Sequence, residues 1–165
     1  MSDPNVLEPR WDAELSDAPF LVRVARVGAH AGSQELGASV YEIDPGGRVS
    51  PYHLHHGNEE LLVVLSGTPE IRTPSGVRTL QPGAVVAFPA GPDGAHAVRN
   101  ASGRPARVLL VSTMRFPEVA EHLDTGATLA VMGAGEGRVF PSGTDVPVWD
   151  AVTRAAQADA DAGAS

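Results

Sequence analysis

Residues 47–67 read GRVSPYHLHHGNEELLVVLSG, and the placing of histidine in this stretch governs how the rest of the chain is read. His53 and His55 stand two apart. In a strand, side chains at i and i+2 share a face, so these two imidazoles project together, while Tyr52, Leu54 and His56 point the other way. A short HHGNE turn follows, and an apolar run starts at Glu60. Neighbouring strands lie ~4.8 Å apart, so the first inward side chain of that run reaches the point the histidines face. Residues 61–65, LLVVL, are apolar on both faces, and such a strand needs cover on both sides. A second copy of the chain is the expected cover, making a homodimer; the N-terminal segment or a helix of the same chain is the alternative.

A second segment, residues 83–100, reads GAVVAFPAGPDGAHAVRN. Gly83, Pro89 and Gly91 mark a strand and its turn, and His96 and Asn100 fall on one face of the strand that follows.

Outward from these segments, short apolar runs alternate with turn signals. FLVRVARV (20–27), LGASVYEI (36–43) and AVVAFP (84–89) each end at clusters of Gly with Pro, Asp or Ser, and ARVLLVSTM (106–114) closes the series. EIRT (70–73) and VRTL (77–80) flank PSG and read as a hairpin. Weaker strands are expected at 127–132 and 138–140, with GAGEG (133–137) as a loop. Turns at this spacing imply an all-β sandwich or barrel. PEVAEHL (117–123) and DAVTRAAQA (150–158) are the two segments with a helical pattern.

Composition narrows the chemistry. All twelve basic residues are Arg, which excludes Schiff-base chemistry on lysine and a P-loop lysine. With no Cys there is no disulfide, thiolate ligand or cysteine nucleophile. Neither Ser50 nor Ser66 lies in a nucleophile-elbow sequence. The net charge of −8 argues against a nucleic-acid partner. That charge sits at the ends: residues 1–18 carry five acids and one Arg, residues 144–165 four acids and one Arg, and residues 19–143 eleven acids against ten Arg. The division expected is an N-terminal arm (1–18), a β-barrel domain (19–143) and a C-terminal extension (144–165). No apolar run long enough for a membrane span is present, and the acidic N-terminus lacks the pattern of a signal peptide, so a cytoplasmic protein is the expectation.

The two segments resemble the cupin superfamily. The first fits G-x5-H-x-H-x4-E-x6-G from Gly47 to Gly67 at every position. The second fits G-x5-P-x-G…H-x3-N, with four residues between Gly91 and His96 where the usual pattern has two. The resemblance implies a conical β-barrel of jelly-roll type (a double-stranded β-helix) with short terminal arms and a metal inside. Carried over by position, the ligands are His53, His55, Glu60 and His96. Glu59 competes with Glu60, and the phase of Gly67 favours Glu60, with Leu62 and Val64 lining the barrel below it. Three imidazoles and one carboxylate suit one divalent transition metal ion, Fe, Mn, Ni, Cu or Zn. Four ligands on a six-coordinate ion leave room for water and a small-molecule substrate. Glu60 also stands as the catalytic residue, as a ligand that stays or one that detaches to act as general base. Tyr41, Tyr52, Phe88, Asn100 and Met114 are candidates for the substrate pocket, with packing or a turn as their alternative roles. Arg72 is either a carboxylate anchor or an exposed hairpin residue. His56 has the wrong parity for a ligand, and His30 and His122 are expected to face solvent. The activity expected is that of a metal-dependent enzyme, with dioxygenase preferred over isomerase, cyclase, lyase or decarboxylase. A non-catalytic small-molecule sensor is the rival, since one barrel hosts many functions.

Overall fold

The computed structural model describes residues 3–133, 136–144, 146–147 and 149–155. Among the described residues the chain runs through thirteen strands: β1 (Ala13–Leu15), β2 (Val22–Ala25), β3 (Leu36–Ile43), β4 (His53–His55), β5 (Glu60–Ser66), β6 (Glu70–Thr73), β7 (Gly76–Thr79), β8 (Val85–Phe88), β9 (Ala97–Arg99), β10 (Ala106–Thr113), β11 (Glu118–His122), β12 (Ala127–Gly133) and β13 (Glu136–Phe140). A one-turn helix, α1 (Val27–His30), follows β2. The fold is all-β, as the strand rhythm implies. It departs from the expected pattern at 117–123, which is strand β11 rather than helix. Residues 149–155 are helical, and the remainder of the expected 150–158 helix lies outside the described residues. Of the expected loop at 133–137, Gly133 belongs to β12 and Glu136 and Gly137 to β13, and the rest lies outside the described residues.

One wall is a six-stranded antiparallel sheet in the order β1-β2-β3-β10-β5-β8. The second combines the sheets β7-β6-β9 and β13-β12-β11-β4, joined by the isolated bridges Arg48↔Arg99 and His53↔His96. Register fixes which side chains face inward. Glu60 lies opposite Ser112 and Phe88, Leu62 opposite Leu110 and Val86, and Val64 opposite Val108, which itself faces Tyr41. These rows meet Val22, Ile43, Ile71, Leu80 and Val98 in one core. Leu62 and Val64 are 0% and 1% exposed, as their phase with Glu60 requires. The lower barrel is therefore lined mainly by aliphatic side chains, with Tyr41 among them, and the charged groups sit at the Glu60 end.

The outer face of the six-stranded sheet is partly covered by the chain's own N-terminal arm. Val6 and Trp11 pack with Leu65, Leu109 and Val40, and β1 pairs with β2. At the other end of this face Leu61 and Val85 remain 38% and 59% exposed.

Two glycines are needed for this geometry. Gly67 has φ +74°, and a Cβ there would lie 2.7 Å from the Ala106 Cα. Gly94 would place a Cβ 1.7 Å from the Pro89 carbonyl oxygen. It closes the 3₁₀ turn Pro92–Gly94, which takes up the longer spacing before His96.

Candidate metal centre

Strand β4 carries His53 and His55 on one face, β5 opens with Glu60, and His96 sits where its segment bridges back to His53. The backbone ties this bridge twice: His53 N–H donates to the His96 carbonyl at 3.0 Å, and His96 N–H to the His53 carbonyl at 2.8 Å. The longer turn therefore leaves the aim of His96 intact.

Each ring is oriented through its far nitrogen. His53 Nδ1 lies 2.9 Å from the Pro51 carbonyl, and His96 Nδ1 lies 2.9 Å from the Gly94 carbonyl. A carbonyl only accepts, so both rings carry their proton on Nδ1 and turn a bare Nε2 inward. Phe88 stacks on His96 at 3.8 Å between centroids and an interplanar angle of 7°. The inward atoms converge: His53 Nε2 and His55 Nε2 are 3.1 Å apart, His96 Nε2 is 3.0 Å from Glu60 Oε2, and His55 Nε2 is 3.7 Å from the same oxygen. Ligand atoms of His53, Glu60 and His96 all lie within 4.8 Å of one another.

Lone pairs brought this close repel unless a cation lies among them. Two donors at ~2.1 Å from one ion and at right angles to each other are ~3.0 Å apart, which matches the observed 3.0 and 3.1 Å. The residues present therefore fit a transition metal. Burial, then the neighbouring imidazoles His96 and His55, hold His53 down to about 4, so its ring is neutral and able to ligate at neutral pH. Burial alone would raise Glu60; the close approach of the His96 ring, together with His55 and His53 around it, outweighs burial and keeps the carboxylate below its ordinary range. Glu59 is exposed, so the choice between the two acids falls to Glu60.

The other candidate residues divide. Tyr41 is in the barrel interior, where burial and then the Glu60 charge push its phenol up, and it shares a hydrogen bond with Ser39. Met114 packs over Gly37, beyond Ser112 on the inner face, with its sulfur 2.8 Å from where a Gly37 Cβ would stand. Phe88 is a stacking partner of His96. Asn100 is a turn clamp and not a pocket residue: Nδ2 donates to the Ile43 and Arg104 carbonyls, and Oδ1 accepts from the Ser102 amide and hydroxyl, which uses every polar position of the side chain. Tyr52 faces away from the metal centre. It lines an outer cleft of about 110 Å³ with Arg48, Ser50, Arg99 and Asp124. There the exposed Arg72 lies 3.9 Å over its ring and pairs with Asp124 at 2.7 Å. His56 points outward to Glu121 at 2.7 Å. His30 is not free in solvent but pairs with Asp12 at 2.8 Å.

Two residues near the centre escaped the sequence reading because β11 looked helical. His122 lies directly opposite His53 across the β4–β11 ladder, its ring 6.4 Å away, instead of facing solvent. Glu118 is 4% exposed, with Oε1 3.4 Å from His55 Nδ1.

A domain described as Cupin domain matches residues 39–112, which hold all four candidate ligands. Residues 39–112 are a cupin domain. Solved cupin structures share its fold over most of its length. A candidate sugar phosphate isomerase from Acidithiobacillus ferrooxidans aligns with TM-score 0.72 and 23% identity, over 84% of this chain and 86% of that one. A sugar phosphate isomerase from Silicibacter pomeroyi aligns with TM-score 0.69 and 26% identity, over 77% and 81%. A polyketide cyclase from Streptomyces resistomycificus aligns with TM-score 0.56 and 19% identity, over 72% and 83%. Comparison with curated proteins gives no match. Among the described residues of this cupin, no helix is long and apolar enough to cross a membrane.

Proposed function

We propose that this cupin is a mononuclear metal-dependent enzyme that moves a proton on a small, oxygen-rich substrate, as an isomerase of the sugar phosphate type does. The observation that carries the reading is the convergence of bare histidine nitrogens and the Glu60 carboxylate within 3.0–3.7 Å of their neighbours at the polar end of an aliphatic barrel. His53, His55, Glu60 and His96 would hold one divalent ion, which as a Lewis acid would polarise a substrate carbonyl or hydroxyl. The Silicibacter pomeroyi neighbour supports the reaction class. The His3Glu set alone serves a dioxygenase equally well, so the preference rests on Glu60 within the set together with the buried phenol of Tyr41 further down the same interior.

Glu60, kept below the ordinary carboxylate range, is unprotonated at neutral pH and accepts a proton at a carboxylate oxygen. Tyr41, held as a neutral phenol by burial and the Glu60 charge, is the interior group able to donate one. Such a pair, one acceptor and one donor with their proton affinities pushed apart, is what interconversion of a hydroxyketone and a hydroxyaldehyde needs. Met114 and Ser112 border the same inner face, and Phe88 keeps the His96 ring fixed during turnover. The Leu61–Val85 end of the outer sheet face, bare of the arm, is where a second copy would pack in the homodimer that belongs to this proposal.

The test is incubation of tag-free, metal-loaded protein with aldose and ketose phosphates in D2O, followed by NMR. Interconversion with deuterium entering at the carbon next to the carbonyl is expected, and Glu60→Gln and Tyr41→Phe abolish or sharply slow it. Oxygen uptake by the Fe(II) form on enols or diketones, without such exchange, would replace this reading by a dioxygenase. Ligand binding unaffected by chelator would replace it by a sensor.

A further inference from the structure

Glu118 is a buried acid that faces no arginine. Its Oε2 accepts from Asn58 Nδ2 at 2.5 Å, and its Oε1 lies 3.4 Å from both the Gly57 N–H and His55 Nδ1. Asn58, 5% exposed, is held by Arg115 N–H at 2.9 Å, the Arg115 carbonyl at 3.1 Å and the Thr113 hydroxyl at 3.0 Å. The 57–58 turn approaches so closely that a Cβ on Gly57 would stand 2.8 Å from Glu118 Oε2. A second oddity lies beside it. Among the described residues, His55 Nδ1 is the buried side-chain nitrogen without an aligned hydrogen-bond partner. A buried carboxylate with no cation and a buried imidazole nitrogen with no acceptor are each costly, and each is what the other lacks.

We infer that Glu118 is a positioning residue for the metal centre: its carboxylate accepts from the N–H of His55 Nδ1, fixes the ring with Nε2 facing Glu60 and His53, and Asn58 holds it in place. The inference rests on the metal reading of the site. With it, all three ligand imidazoles are tied from behind, His53 by the Pro51 carbonyl, His96 by the Gly94 carbonyl and His55 by a carboxylate. The carboxylate makes His55 the strongest donor of the three, because a negative partner raises the basicity of the ligating nitrogen.

The decisive variant is Glu118→Gln, which keeps the shape and an acceptor oxygen but loses the charge. Three readouts apply: competition with a chelator for Co(II), the visible spectrum of the Co(II) protein, and ¹⁵N NMR of His55 in the metal-free protein. Expected are affinity lower by about 10–100-fold, a shifted Co(II) spectrum, and a His55 ring that no longer holds its proton on Nδ1 alone. Glu118→Ala moves all three further. A lowered melting temperature with all three readouts unchanged would make Glu118 a packing residue and overturn the inference. If the wild-type protein binds no metal, the metal reading fails by itself. The ¹⁵N signature of His55 then still decides whether Glu118 fixes its proton.

Discussion

Two polar clusters lie on opposite faces of the six-stranded sheet and are built in opposite ways. On the outer face Glu42 sits between Arg23 and Arg107, whose guanidinium carbons lie 4.8 and 5.5 Å from the centre of the Trp11 ring. Arg107 also donates to the Leu7 carbonyl at 2.8 Å, so the arm is tied to the sheet through the same charges. This cluster meets its own electrostatic needs, with every charge facing its opposite. On the inner face, His53, His55, His96 and Glu60 turn acceptors toward one another and leave a positive charge wanting. A closed cluster holds the fold together, whereas an unclosed one at the polar end of the core is the proposed place of chemistry.

The comparison breaks most visibly at His53. His53→Ala removes a proposed ligand from the inner cluster, and metal affinity, measured by chelator competition, is expected to fall by orders of magnitude. Retention of metal at wild-type strength would refute the ligand assignment. The metal-free protein shows the cost of the unclosed cluster as acid lability. His53 is held from its ordinary 6.5 down to about 4, so between these values the unfolded chain binds a proton that the folded one does not. Stability is therefore full above pH 6.5 and falls as pH drops toward 4, by roughly 3 kcal/mol. Glu60 and Glu42, both held below their ordinary 4.5, extend the loss to more acid pH. Urea midpoints across this range check the slope between 6.5 and 4, which His53→Gln flattens.

Smaller effects belong to the closed cluster. Glu42→Ala leaves two arginines facing each other and lowers stability by about 1–2 kcal/mol, read by thermal unfolding, with metal affinity unchanged. The smallest belongs to His56, whose pair with Glu121 is exposed. His56→Ala changes stability by less than about 0.5 kcal/mol and leaves metal affinity alone. A drop in affinity would show that strand parity does not separate ligand from bystander.

Much of the inner cluster was legible before the structure, because period-two alternation and a fixed spacing place His53, His55 and Glu60 on one face whatever the rest of the chain does. The aim of His96 depended on the PDG turn, whose 3₁₀ geometry relies on the absence of a Cβ at Gly94. Glu118 was not legible. In EVAEH the acids stand three apart with apolar residues between them, which reads as an amphipathic helix. The strand is set by pairing with β4 and β12, contacts distant in sequence. A buried acid is also unexpected until its partner His55 is seen beside it. Asn100 showed the reverse: its position in the motif was plain, but its complete use in a turn emerged only from its four hydrogen bonds. The arm's role was equally hidden, since nothing local to Trp11 reveals that Arg23 and Arg107 flank it.

The central claim is that His53, His55, His96 and Glu60 together hold one metal ion. X-ray absorption of the Co(II)- or Mn(II)-loaded protein, with metal content measured on the same sample, tests it most directly. The proposed site predicts one ion per chain with three imidazole nitrogens and carboxylate oxygen at about 2.0–2.2 Å. An ion with fewer than two imidazoles, or binding that survives loss of His53 and His96 together, would contradict it.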